Sequence, residues 1–166
     1  MSDDALDSLE RIVDSLGDVE LFGRAGLEFG WMLRDEGFDV LGSGGSRIVV
    51  ALDDERVAKI DAQPGGPSNA SEIDVWNEYG QQTDLLAPVL DERSDGRILV
   101  MSRAEAFDGP ADSSGRVKDV PRKLRMRLDD AKSELLDILG PNYEDPSYDF
   151  NWGILDGRLV CIDYAS

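Results

Sequence analysis

Residues 41–60 read LGSGGSRIVVALDDERVAKI. Gly42, Gly44 and Gly45 separate two apolar runs, 38–42 and 46–52, and a third run, 56–61, follows the tight turn Asp53-Asp54-Glu55. β-branched residues bounded by turn formers predict three successive antiparallel strands. A glycine-rich turn between two such strands has two uses. It is an ordinary mobile hairpin, or it lays backbone N–H groups over phosphates, because missing side chains let the backbone approach closely. A Walker loop and a dinucleotide fingerprint are both excluded, since a strand and not a helix follows the glycines.

Lys59 bears on the choice. It lies within Arg56-Val57-Ala58-Lys59-Ile60, where Val57 and Lys59 share a face. A buried ammonium needs a partner, typically a carboxylate or a phosphate. Glu78, on the next expected helix, is a candidate. The alternative is an edge-strand lysine whose stem lies on the core while its amine reaches water.

Working outward, Ser2 or Asp3 caps a first helix with Leu6, Leu9, Ile12, Val13 and Leu16 at helical spacing. A second helix is expected over 19–35, where Gly26 and Gly30 would admit another element. Beyond the three strands, residues 61–71 read as loop and residues 72–81 as a short helix. Strands are expected at 88–90 and 97–101. Pro121 suits the first turn of a helix carrying Leu124, Leu128, Ala131, Leu135 and Leu139, and the Asp156-Gly157 turn joins two final strands. The order α-α-β-β-β-α-β-β-α-β-β predicts an α+β fold. Its expected division is an N-terminal helical extension, 1–37, ahead of one domain, 38–166, together forming a single compact unit.

Composition narrows the function classes. Asp plus Glu number 35 against 17 Lys plus Arg, a formal net charge of -18. The acid is spread along the chain, and apolar periodicity argues against disorder. Only 4 of the 17 basic residues are lysine. A dense carboxylate surface poor in lysine fits a protein working in high salt, where self-repulsion is screened, such as the cytoplasm of an extreme halophile. With 0 His, the chain has no imidazole base, Ser-His-Asp triad or His-ligated metal. The lone Cys161 reads as a buried apolar residue rather than a nucleophile. The acidic, amphipathic N-terminus is no signal peptide, and no apolar run reaches the ~20 residues of a membrane span. The expected location is therefore cytoplasmic, or a virion assembled inside a cell.

The order of glycine flap, Val-Ala-Lys strand and glutamate on the next helix resembles the small lobe of the protein-kinase-like superfamily. The resemblance covers roughly 38–164. It implies a minimal kinase-like fold, with an antiparallel small-lobe sheet, helices and a C-terminal hairpin. Its implied ligands are ATP and Mg. Lys59 would sit on the α and β phosphates beneath the flap of Gly42, Gly44 and Gly45, held by Glu78. Backbone groups near Ser102 and Ala104 would contact adenine, with Met101 as gatekeeper. Asn151 and Asp163 would share the magnesium ion, an amide oxygen beside a carboxylate being sound hard-cation chemistry.

The departures matter as much. The family's catalytic base stands five residues before the asparagine, where this chain has Pro146. Asp145 and Asp149 are the replacement candidates. The His-Arg-Asp motif is absent, Arg47 replaces the third flap glycine, and Asp163-Tyr164-Ala165 replaces Asp-Phe-Gly. An activation segment and the large-lobe helices are also missing before Ser166. The chain is similar to small truncated kinase-like proteins of tailed viruses of prokaryotes, through its Arg47-containing loop and the Asn151-Trp152-Gly153 hairpin. Three functions follow as expectations. The leading one is a catalytically impaired, pseudokinase-like domain with a weak or vestigial Mg-nucleotide site. The others are a structural or adaptor protein of a haloarchaeal virus particle, and an active atypical kinase with a remodelled base.

One feature points to a partner. Arg116, Lys118, Arg122, Lys123, Arg125 and Arg127 crowd into 116–127, at the positive end of the predicted helix, against the preference of its dipole. They form a docking patch for nucleic acid, phosphate or an acidic protein, or else they balance the chain's own acid, as Arg125 with Asp129 would. A protein partner is expected, and a membrane is not.

Overall fold

The computed structural model describes residues 3–107 and 109–165. Its elements run α1 (Asp4–Asp14), α2 (Arg24–Asp35), β1 (Asp39–Ser43), β2 (Arg47–Ala51), β3 (Arg56–Asp61), α3 (Pro67–Tyr79), β4 (Val89–Arg93), β5 (Ile98–Ser102), β6 (Glu105–Ala106), α4 (Arg122–Leu139), β7 (Trp152–Leu155) and β8 (Arg158–Cys161). The α+β class and the expected order are observed, with β6 added and two 3₁₀ turns, Asp145–Ser147 and Asp149–Asn151, ahead of β7. No helix among the described residues is long and apolar enough to cross a membrane.

The chain divides into two compact units, and the expected boundary after residue 37 is not one of their limits. The first unit runs to Ile73 and includes Val89–Arg103; the second comprises Asp74–Pro88 and Ala104 onward. The N-terminal helices are no separate extension, because they share the first unit's core. Leu6, Leu9 and Val13 of α1 and Phe29 and Leu33 of α2 pack in one cluster with Ile48, Val50, Ala58, Ile60, Ile98 and Val100 of the sheet.

That sheet has the strand order β1-β2-β3-β5-β4 and is antiparallel throughout. Cross-strand pairing puts Arg47 opposite Asp61 and Val49 opposite Lys59. These residues share the face away from the α1–α2 cluster, because directly opposed residues point the same way. The sheet therefore has an apolar face and a face that carries charge.

Two helix boundaries differ from expectation. The stretch 19–23 is not helical: Leu21 N–H donates to Ala62 C=O at 2.8 Å, and Gly23 turns with φ 58°. A Cβ on Gly26 would lie 2.3 Å from the Leu21 carbonyl oxygen, so this glycine admits the preceding loop; Gly30 meets only the end of Arg34. The helix α3 begins five residues before the expected Glu72. Pro67 suits its first turn, and the Asp61 carboxylate accepts from Ser68 N–H at 2.8 Å and Asn69 N–H at 3.1 Å. A carboxylate from a neighbouring strand is thus the cap, which no local pattern reveals. At α1 the cap is Asp3, which accepts from Leu6 N–H; Ser2 lies outside the described residues.

In the second unit, α4 buries Leu128, Ala131, Leu135 and Leu139. The hairpin β7–β8 pairs Trp152 with Cys161 and Leu155 with Arg158 about the Asp156-Gly157 turn, where both residues have positive φ. β6 pairs with β7, and Gly153 allows the contact, since a Cβ there would lie 2.7 Å from the Glu105 carbonyl oxygen. Trp152 is fully buried, its indole N–H donating to Pro146 C=O at 2.8 Å. Cys161 is buried.

Arg97, at the edge of β5, ties the first unit's loops to its sheet. Its guanidinium donates to the carbonyls of Asp61, Gly17, Val19 and Ala62. Burial lowers its pKa from the ordinary value, opposed by Asp61 and Asp18. Arg97→Met leaves four carbonyls without this donor. It should destabilise the chain by about 3 kcal/mol or more in urea unfolding; a loss below about 1 kcal/mol would show that water replaces the guanidinium.

Candidate functional site

Lys59 is buried on β3 and donates to Glu72 Oε1. This corrects its expected partner. Glu78 lies exposed further along α3, and the early start of that helix brings its second turn over the strand instead. Arg47 reaches the same carboxylate: Nη2 donates to Glu72 Oε2 at 3.2 Å, and Nη1 to Asn69 Oδ1 at 3.4 Å. Asn69 Nδ2 in turn donates to the carbonyls of Lys59, Gly96 and Arg97 at 3.0–3.1 Å. Arg47, next to the glycine turn, is therefore folded inward as part of a buried ionic cluster.

The energetics of that cluster centre on Glu72. Burial pushes its carboxyl upward, but Lys59 and Arg47 outweigh burial and hold it below the ordinary glutamate value. Glu72 stays ionised at neutral pH and fixes both cations.

The turn bearing Gly42, Gly44 and Gly45 is exposed, closed by Gly44 N–H donating to Arg47 C=O at 2.9 Å. A Cβ on any of these three glycines would meet no atom within 4 Å, and none has positive φ. The chain's own packing thus leaves open the space that side chains here would fill. Ser102 ends β5, opposite Arg56, and Ala104 follows Arg103, whose N–H is already taken by Glu55 C=O at 2.8 Å.

In the second unit, Asn151 lies at the open end of the β7–β8 hairpin, and Asp163 follows its cross-strand neighbour Ile162. The ladder that pairs Trp152 with Cys161 continues with Ile162 N–H donating to Asn151 C=O at 2.7 Å. Asn151 Nδ2 donates to Asp145 C=O at 3.0 Å, which leaves the amide oxygen as the group suited to a hard cation. Among the described residues no group of three or more Asp, Glu or Cys forms a metal cage. An amide and one carboxylate still suit magnesium, which usually completes its shell with water and phosphate.

The two candidate bases differ. Asp145 is half-buried in a 3₁₀ turn and receives the Asn151 amide on its backbone. Asp149 does not fit the role. It is fully buried, with Lys132 on Oδ1, and Arg125 Nη1 at 2.7 Å and Val117 N–H at 2.7 Å on Oδ2. Burial raises its carboxyl, yet Lys132, Arg125 and the Val117 amide together hold it below the ordinary aspartate value. A carboxylate so saturated neither reaches a substrate proton nor holds one at neutral pH.

Glu72, Asn69, Asp61 and Lys132 were not singled out from sequence. Pro67-Ser68-Asn69 was a usable helix-start signal, and with it Glu72 falls in the second turn. The scarcity of lysine was another signal, since Lys59 and Lys132, two of the chain's 4, each meet a buried carboxylate. No protein-family model matches the chain, and no curated protein matches it.

Glu72 and Asp149 have pKa values lowered by folding. Their stabilisation is therefore fully present above the unfolded carboxylate range, near pH 4, and is lost as pH falls through the folded values. With 0 His, stability should be nearly flat from about pH 5 to 8 and fall in acid. Glu72→Gln and Asp149→Asn should each cost about 3–5 kcal/mol at neutral pH and flatten the acid slope, measured by urea unfolding across pH. An unchanged slope in both variants would contradict the assignment.

Proposed function

We propose that the chain is a kinase-like domain that binds the phosphates of Mg-ATP weakly and is not an efficient phosphotransferase. The observation that carries this reading is the buried Lys59–Glu72 pair, one strand after an exposed turn of three glycines. Glu72 fixes the lysine, so its ammonium is oriented before a ligand arrives, and the open space at Gly42, Gly44 and Gly45 suits close approach of backbone N–H groups to phosphate. On the second unit, the Asn151 amide oxygen and the Asp163 carboxylate are the groups that would hold magnesium, which supplies charge neutralisation when bound. Inefficient transfer is supported by the saturation of Asp149 and by Pro146 standing where the family's base is expected. The acid-rich, lysine-poor composition supports work in a high-salt interior.

A second reading, an adaptor or virion component that reuses the fold, is favoured by α2. Leu27 and Trp31 lie one turn apart there and are 54% and 53% exposed. Such a face is a natural protein contact. Under this reading Leu27→Lys with Trp31→Lys abolishes assembly with the partner, while Lys59 variants assemble normally.

Thermal unfolding in about 2 M KCl, where self-repulsion is screened, separates the two. Mg-ATP should raise the midpoint of the wild-type chain. Lys59→Met and Gly45→Val should both remove that rise, and Gly45→Val should unfold without ATP within about 0.5 kcal/mol of wild type, because its side chain enters open space. A rise that persists in both variants would defeat the nucleotide reading.

A further inference from the structure

The second unit carries a cavity of about 420 Å³ that the nucleotide reading does not use, lined by Asp112, Arg116, Val117, Lys118, Val120, Arg122 and Arg125. Four of those seven side chains are cationic, in a chain whose formal net charge is -18. The walls are held from behind. The buried Asp149 carboxylate binds Val117 N–H, Arg125 and Lys132, Asp149 N–H donates to Gly115 C=O at 3.0 Å, and Arg125 Nη2 donates to Val117 C=O at 2.5 Å. The loop carrying Arg116 and Lys118 is thereby fixed against the start of α4, which carries Arg122 and Arg125.

The cations of this cavity are unevenly matched. Asp129 pairs with Arg116 at 3.3 Å and lies 3.7 Å from Arg125. Asp112 is occupied with its own loop, accepting from Ser114 N–H, Ser114 Oγ–H and Arg116 N–H. Lys118 and Arg122 are exposed and form no ion pair among the described residues. The first turn of α4 has no acidic residue and no side-chain cap, so its cations stand at the unfavourable end of the helix dipole.

We propose that this cavity binds a small, phosphate-rich anion of the pyrophosphate or tripolyphosphate kind, free or as part of a phosphorylated metabolite, held by Arg116, Lys118 and Arg122, with Arg125 fixing the wall behind them. Guanidinium groups match phosphate oxygens in bidentate fashion, and an ammonium adds a point charge. The size of the anion follows from the surroundings. A long nucleic acid needs phosphate contacts along an extended track, whereas this basic run is interrupted by Asp119 and followed at once by Asp129 and Asp130 on an acidic chain. A compact anion fits inside the cavity.

The test is calorimetric titration of the full chain with inorganic pyrophosphate at about 0.5 M KCl, where self-repulsion is screened. Wild type should bind, and Lys59→Met should bind equally well, which separates this site from the nucleotide site. Lys118→Gln with Arg122→Gln should weaken binding at least about tenfold, the loss of two charge-assisted contacts. Arg127→Gln, a cation of the same helix that does not line the cavity, should leave affinity within about twofold. A cooperative thermal transition above the titration temperature verifies that each variant folds, with Lys59→Met melting below wild type because Glu72 loses its lysine. The proposal is overturned by absence of binding, by equal weakening in Arg127→Gln, or by binding that depends on Lys59 alone. It is also overturned if a single-stranded DNA 20-mer binds more tightly than pyrophosphate and loses that affinity in the double variant. Competition between pyrophosphate and a sugar diphosphate would then distinguish a free anion from a phosphorylated metabolite, as whichever binds more tightly is the better match.

Discussion

Burying the Glu72 carboxylate organises the charged face of the first unit. A glutamate taken out of water alone would be strongly destabilising, and here Lys59 and Arg47 offset that cost from two adjacent strands. The demand propagates outward. To bring Glu72 over β3, α3 must start at Pro67, its start needs a cap from Asp61, and its other buried polar side chain, Asn69, satisfies the carbonyls of Lys59, Gly96 and Arg97. A single carboxylate thus links the strand after the glycine turn to the helix and to the turn before β5. Only the opposite face of the sheet is held mainly by apolar burial.

The second unit repeats the device with Asp149. Its two oxygens gather a backbone amide, an arginine and a lysine, and they fix the loop 115–117 against α4. Three carboxylates are buried among the described residues: Asp61 is satisfied by backbone amides, while Glu72 and Asp149 illustrate a general constraint. A buried carboxylate must be satisfied by backbone amides, as Asp61 is, or by cations, and the scarce Lys59 and Lys132 serve Glu72 and Asp149.

Much of the fold was legible from residue order. Alternating β-branched runs bounded by glycine or aspartate gave the strands, and helical spacing of leucines gave α1 and α4, because these patterns record one buried face each. Asp156-Gly157 marked a hairpin through the positive φ that both residues adopt. Legibility failed where a boundary depended on distant groups. The stretch 19–23 has helical composition, yet its backbone bonds to Ala62 and Arg97, and α3 starts where a strand residue caps it. The importance of Lys59 was legible from a lone lysine in an apolar strand; its partner was not, since Glu72 and Glu78 are both glutamates on the next helix and only the helix start chooses between them.

By itself, the sequence determined the class, the element order, the acidic surface and the exclusion of imidazole chemistry, because each depends on composition or on contacts a few residues apart. Tertiary structure alone decided which carboxylates are buried as fixed anions and which stay at the surface. Asp149 reads as a base beside Asn151 until its neighbours are known, and burial among Arg125, Lys132 and the Val117 amide makes it a fixed anion. Likewise, the basic run 116–127 is only a charge pattern until folding turns four of its cations toward one cavity. The role of an ionisable group is set by its electrostatic surroundings, and those surroundings come from residues far away in the chain.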